Sequence, residues 1–134
     1  MTDAELMKKA DAARERAYSP YSRYSVGAAL LCSDGTVYTG ANIENAAFSP
    51  SVCAERVAIF AAVHDGKRDF SSIAISGGKQ GETSLVCAPC GVCRQVMAEF
   101  CGQDFRIIMR SASGIVSKTL DEMLPLAFEK DELK

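Results

Sequence analysis

The stretch CAPCGVC, residues 87–93, holds three cysteines and so two overlapping C-x-x-C pairs, Cys87 with Cys90 and Cys90 with Cys93. From Cys90 onward the spacing predicts a helix, with Val96, Met97 and Phe100 turned inward. A second helix opens on cysteine at Cys53-Ala54-Glu55. It carries Val57, Ala58, Ala61 and Ala62 at helical spacing towards His64, and Asp65-Gly66 closes it. Each of these helices follows a loop that leaves a strand, and the two cysteine-bearing starts are expected to be adjacent.

Working outward from these helices, Thr2-Asp3-Ala4-Glu5 reads as a capping box, with Leu6, Ala10, Ala13 and Ala17 on one face of a first helix. Pro20, in Tyr18-Ser19-Pro20-Tyr21, cannot continue it. Val26–Cys32 and Thr36–Ala41 flank Ser33-Asp34-Gly35, a hairpin signal. Phe70–Ser76 reads as a short buried strand, followed by a Gly-rich loop over Gly77–Ser84. Arg106–Arg110 and Ile115–Thr119 form a second hairpin, and Asp121–Leu126 a short last helix. The order α-β-β-α-β-α-β-β-α predicts a layered α/β fold with a mixed sheet. No repeat or linker interrupts the 134 residues, so one domain, 1–134, is expected.

With 48% hydrophobic and 24% charged residues, the composition is that of a globular protein. A net charge of −2, with no run of Lys and Arg, argues against nucleic acid as a partner. The polar first residues and the absence of a long apolar run predict a cytoplasmic protein without a membrane partner. In a reducing compartment the six cysteines point to metal or catalytic thiolates and not to a disulfide framework.

A helix N-terminus offers unpaired N–H groups and the positive end of the helix dipole, and both favour a thiolate. Three thiolates from two such ends make a soft, tetrahedral site with one position left for water, the pattern of a catalytic zinc. Glu55, two residues after Cys53, is placed to reach that water as a general base. Arg56 and Arg94, each beside a ligand, are candidates for drawing charge off the sulfurs.

Asn42-Ile43-Glu44-Asn45-Ala46, Cys53-Ala54-Glu55-Arg56 and Pro89-Cys90-Gly91-Val92-Cys93-Arg94-Gln95 together resemble the small, homotetrameric, zinc-dependent cytidine deaminases. Tyr21-Ser22-Arg23-Tyr24, Val26-Gly27-Ala28-Ala29 and Leu124-Pro125 extend the resemblance over nearly the whole chain. It implies a three-layer α-β-α cytidine-deaminase-like fold around a mixed sheet of about five strands. It also implies one zinc per chain, held by Cys53, Cys90 and Cys93, with Cys87 outside the ligand set. The implied activity is the hydrolytic deamination of cytidine and 2′-deoxycytidine in pyrimidine salvage. Hydroxide generated at the metal attacks C4, and Glu55 shuttles the protons. By the same resemblance Asn42 and Glu44 hold the sugar, Ala54 and Tyr24 contact the nucleoside, and Arg56 supports a ligating thiolate. Phe128 enters a neighbouring subunit's site, so that the active sites are completed only in a tetramer. Phe48 departs from the pattern, since relatives often carry Tyr there.

Competing readings remain open from sequence. Cys90-Gly91-Val92-Cys93 at a helix start also suits a dithiol redox pair, and a structural zinc would recruit Cys87 as a fourth ligand. A thiol redox or zinc-binding protein, or a deaminase of another aminopyrimidine nucleoside, are the alternatives in function. His64 reads as a structural residue at a helix C-terminus, and Cys32 and Cys101 read as buried thiols.

Overall fold

A computed structural model describes residues 1–82 and 86–133. The elements follow the predicted order: α1 (Asp3–Arg14), β1 (Tyr24–Cys32), β2 (Val37–Ala41), α2 (Ala54–His64), β3 (Phe70–Lys79), α3 (Gly91–Phe100), β4 (Arg106–Ser111), β5 (Gly114–Thr119) and α4 (Leu120–Met123). A 3₁₀ turn over Lys130–Leu133 ends the described chain. The five strands form one mixed sheet in the order β2-β1-β3-β4-β5. Only β3 and β4 run parallel, joined through α3, as a parallel pair requires a crossover.

The sheet is covered on both faces. On one, Leu6, Met7 and Ala10 of α1 pack against Ala29, Ala74 and Ile108. On the other, Ala54, Ala58, Ile59, Ala62, Cys93 and Met97 of α2 and α3 pack against Ala28, Leu30, Ile73, Ile75 and Ile107. This is the expected three-layer α-β-α arrangement around five strands. Two glycines let the helices approach. A Cβ on Gly27 would lie 2.1 Å from the Ala10 carbonyl oxygen of α1. One on Gly40 would lie 2.5 Å from the Ala54 carbonyl oxygen and 2.6 Å from the Ala58 nitrogen of α2. Gly40 therefore fixes where α2 starts, and with it the position of Cys53.

Several boundaries differ from expectation, and three have a plain physical reason. First, α1 stops at Arg14 and not at the Tyr18–Tyr21 segment, leaving Ala17 outside the helix. The chain is needed there in extended form, because Tyr18 bridges to Ile43. Second, β3 continues through Gly77 and Gly78 to Lys79, where a loop was expected. Gly77 pairs with Val26 and Gly78 with Ser25 on β1, so the partner strand carries the extension. The remainder of the predicted loop includes residues 83 and 84, which lie outside the described residues. Third, α4 starts at Leu120 behind a capping box made by Thr119 and Glu122.

Candidate active site and metal centre

Cys53 and Cys90 are the N-cap residues of α2 and α3. Both have extended backbone, with φ −77° and ψ 154° at Cys53 and φ −69° and ψ 168° at Cys90. Neither thiol caps its own helix, so both are free to turn towards each other. Their sulfurs lie 3.7 Å apart, and Cys90 Sγ lies 3.5 Å from Cys93 Sγ in the first turn of α3. All three sulfurs fall within 4.8 Å of one another, and all three are free thiols. A tetrahedral zinc with bonds of about 2.3 Å spaces its sulfurs about 3.8 Å apart, which this cluster fits. Cys87 is not in the cluster, which removes the fourth ligand that a closed structural site would need.

The charges support the same conclusion. The Cys53 thiol is pulled down to about 5, first by a hydrogen bond from Cys93 and then by Arg56 and Cys90. Cys93 moves the other way, because it donates to Cys53 and is buried. These opposite shifts are one effect, the sharing of a proton between Cys53 and Cys93. Three sulfur donors within reach of one point are the soft donor set that suits a zinc ion. Arg56 Nη2 donates to Cys53 Sγ at 3.4 Å, and its guanidinium also reaches Cys93. Its Nε is buried without a partner. Arg94 does not touch the sulfurs. Its Nε donates to the Pro89 carbonyl at 2.8 Å and its Nη1 to the Met123 carbonyl at 2.6 Å, bracing the loop in front of Cys90 against the end of α4.

Glu55 is only 3% exposed, although it stands in the first turn of α2. Burial pushes its carboxyl up to about 7, and the charge on Cys53 adds to the effect. It faces a cleft of about 470 Å³ lined also by Tyr24, Asn42, Glu44, Cys53, Cys87 and Cys90. A cleft of similar size, about 410 Å³, lies between α3 and the C-terminal segment, but it gathers no comparable sulfur cluster among the described residues. Chemistry and not volume separates the two.

Asn42 and Glu44 line the same cleft, as their two-residue spacing predicts, and both are already tied to β1 and its approach. Asn42 Nδ2 donates to the Tyr24 carbonyl at 2.9 Å, and its Oδ1 accepts from the Val26 amide at 2.9 Å. Glu44 Oε1 accepts from the Tyr21 and Ser22 amides at 3.0 and 3.1 Å, and Oε2 accepts from the Ser22 hydroxyl. These bonds hold the Glu44 carboxyl below the usual carboxylate range. Each side chain keeps spare hydrogen-bonding capacity beyond these bonds.

The other expected positions fall elsewhere. Ala54, the first residue of α2, is fully buried and does not line the cleft. Phe128 is 57% exposed and away from the cleft, and its carbonyl accepts from Gln95 Nε2 at 2.7 Å. Phe48, at φ +62° and 72% exposed, meets the ring of Tyr21 edge-on, centroids 6.3 Å apart. His64 closes α2 outside the sulfur cluster. Cys32 is buried, and burial pushes the Cys101 thiol up to about 12. Sequence reasoning overlooked the wall built by Cys87. A Cβ on Gly77 would lie 2.4 Å from Cys87 Sγ, and a glycine inside a strand is the signal for such an approach.

The fold and these residues can be set beside known proteins. Residues 1–109 match the family described as "Cytidine and deoxycytidylate deaminase zinc-binding region". A cytidine deaminase of Sporosarcina psychrophila is 46% identical over 130 residues, 96% of this chain and 93% of that protein. One of Halalkalibacterium halodurans is 46% identical over 129 residues, 96% of this chain and 95% of that protein. The crystal structure of cytidine deaminase from Burkholderia pseudomallei superposes with a TM-score of 0.87 at 41% identity, covering 96% of this chain and all of that one. Sequence, fold and cysteine cluster thus converge, and the chain belongs to the cytidine and deoxycytidylate deaminase family.

Proposed function

We propose that this chain, acting as one domain, converts cytidine and 2′-deoxycytidine to uridine and 2′-deoxyuridine with release of ammonia, in cytoplasmic pyrimidine salvage. The observation that carries this reading is the convergence of Cys53, Cys90 and Cys93 on one point beside the buried Glu55, in a cleft that also presents Asn42 and Glu44. Cys53, Cys90 and Cys93 would hold a zinc ion, which would supply a Lewis acid able to make water acidic near neutrality. Glu55 takes the proton from the attacking water, delivers it to ring N3, and then moves a proton to the amine leaving C4. The burial that raises its proton affinity suits a group that must both accept and return a proton near pH 7. Arg56 offsets the negative charge of Cys53.

Asn42 and Glu44 receive a sugar hydroxyl, one offering a donor and the other an acceptor. The Ala54 N–H and the Tyr24 ring orient the nucleoside. Phe128 enters the site of a neighbouring copy in a homotetramer, which gives an exposed aromatic away from its own cleft a place to be buried.

The test is an assay of ammonia release from cytidine on protein of measured metal content. One zinc per chain is expected, with activity lost on chelation, restored by zinc, and absent with free cytosine. Stoichiometric zinc without turnover of cytidine would favour a zinc-binding or redox protein. Turnover confined to other aminopyrimidine nucleosides would redirect the substrate.

A further inference from the structure

Arg14, the last residue of α1, packs on the face of the sheet away from α2 and α3 and does not line the cleft. Its backbone lies directly against β1, where a Cβ on Gly27 would come within 2.4 Å of the Arg14 nitrogen. From there its guanidinium meets three parts of the chain. Nε donates to the Ser25 carbonyl and to the Ser25 hydroxyl, each at 3.0 Å. Nη2 donates to the Lys79 carbonyl at 2.8 Å, and Nη1 to the Glu82 carbonyl at 2.7 Å. Ser25 belongs to the start of β1, Lys79 ends β3 and Glu82 lies just beyond it, so one planar fork ties the two strand ends together.

Successive side chains of a strand point to opposite faces. Ser25 turns to Arg14, and its neighbours Tyr24 and Val26 turn to the cleft, which both of them line. Asn42 holds those neighbours by their backbone, the Tyr24 carbonyl and the Val26 amide, each at 2.9 Å. Three consecutive residues are thus gripped by Asn42 from the cleft and by Arg14 from behind the sheet. Tyr24 is 38% exposed, so the core does not lock its ring, and the hold on its backbone decides where the ring stands.

We propose that Arg14 is a positioning residue of the nucleoside site: from behind the sheet it locks the start of β1 to the end of β3, and so fixes the Tyr24–Val26 wall against which the substrate packs. The inference rests on the nucleoside reading given above. The effect of Arg14 falls on substrate binding and not on the chemical step, since its hydrogen bonds go to Ser25, Lys79 and Glu82 and not to Glu55 or the three sulfurs.

Steady-state kinetics on cytidine test this on wild type, Arg14→Ala, Arg14→Lys and Asp3→Asn, each well below its thermal midpoint and with zinc counted per chain. Arg14→Ala is expected to raise KM about fivefold with kcat within about twofold and one zinc per chain retained. Arg14→Lys keeps the charge but loses the fork, and should show the same split at about threefold, which carries the test should the alanine variant not fold. Asp3→Asn removes the other tether of α1, its ion pair with Arg106 on β4, without reaching the wall, and should leave KM at the wild-type value. An unchanged KM in the Arg14 variants would overturn the proposal. So would a fall in kcat as large as the rise in KM, loss of zinc from the Arg14 variants, or an equal rise of KM in Asp3→Asn, since each is what a general loosening of the fold would give. Wild-type protein inactive on cytidine would instead overturn the nucleoside reading, and this inference with it.

Discussion

At the scale of a single residue, the proposed chemistry falls to Glu55. It is an acid in the first helical turn, where acids usually meet solvent, yet it is buried beside Cys53. A general base typically contributes about 10²–10⁴ in rate, and in the proposed mechanism Glu55 serves more than one proton transfer, so Glu55→Gln should lower kcat by at least about 10³. The variant should still hold one zinc per chain, since all three sulfurs remain. Retention of a tenth of the wild-type kcat would remove Glu55 from its role. This residue and its sulfur neighbours were legible in the sequence, because C-x-E and P-C-x-x-C bring the chemistry close together along the chain. The place of Cys87 was not, because Gly77, which leaves room for its sulfur, is distant in sequence and joins the sheet only when β3 extends beyond Ser76.

Glycine windows and ion pairs decide how the elements dock. A methyl group on Gly27 would strike α1 and one on Gly40 would strike α2, and such overpacking costs about 3 kcal/mol. The two variants should differ in one respect. Gly27→Ala should lower the thermal midpoint and leave zinc stoichiometry unchanged, whereas Gly40→Ala should lower both, because it displaces the start of α2 and Cys53. Equal zinc loss in the two would contradict this division. On the opposite face, α1 is tied to β4 by Asp3–Arg106 at 2.9 Å and Asp11–Arg110 at 2.6 Å. The guanidinium of Arg110 holds the Asp11 carboxyl below its ordinary value of 3.8. A lowered carboxyl stabilises the fold above its unfolded value and loses that effect as pH falls through the folded one, so this contribution is present above about pH 4 and lost below it. Asp11→Asn should therefore cost on the order of 1 kcal/mol at pH 7, and the gap from wild type should close near pH 2. Thermal melts at the two pH values would show it, and a constant gap would refute it. Element order and type were readable from periodicity and turn residues. The end of α1 was not, because Arg14 stops where its side chain is drawn to Ser25, Lys79 and Glu82.

The proposed tetramer makes a prediction for the molecule as a whole. If Phe128 serves a neighbouring site, Glu55→Gln subunits supply intact aromatics and Phe128→Ala subunits supply intact acids. Each variant alone should be weak. Randomly reassembled one-to-one mixtures should regain function at about a quarter of the sites, by simple pairing of unlike neighbours. Mixtures no more active than the separate proteins would show that Phe128 acts within its own chain or not at all. The layered sheet was foreseeable because it satisfies each helix and strand locally. The proposed destination of Phe128 rests only on resemblance, since within its own chain the residue is largely exposed.

Arg94 and Gln95, consecutive on α3, grip the tail at different depths: Arg94 holds the Met123 carbonyl and Gln95 the Phe128 carbonyl. A protease nicking the backbone between those two anchors would therefore sever the outer tether and spare the inner one. The trimmed chain would keep its three sulfurs and its own acid, and if Phe128 serves a neighbouring copy as proposed, the loss would be felt in that copy's pocket.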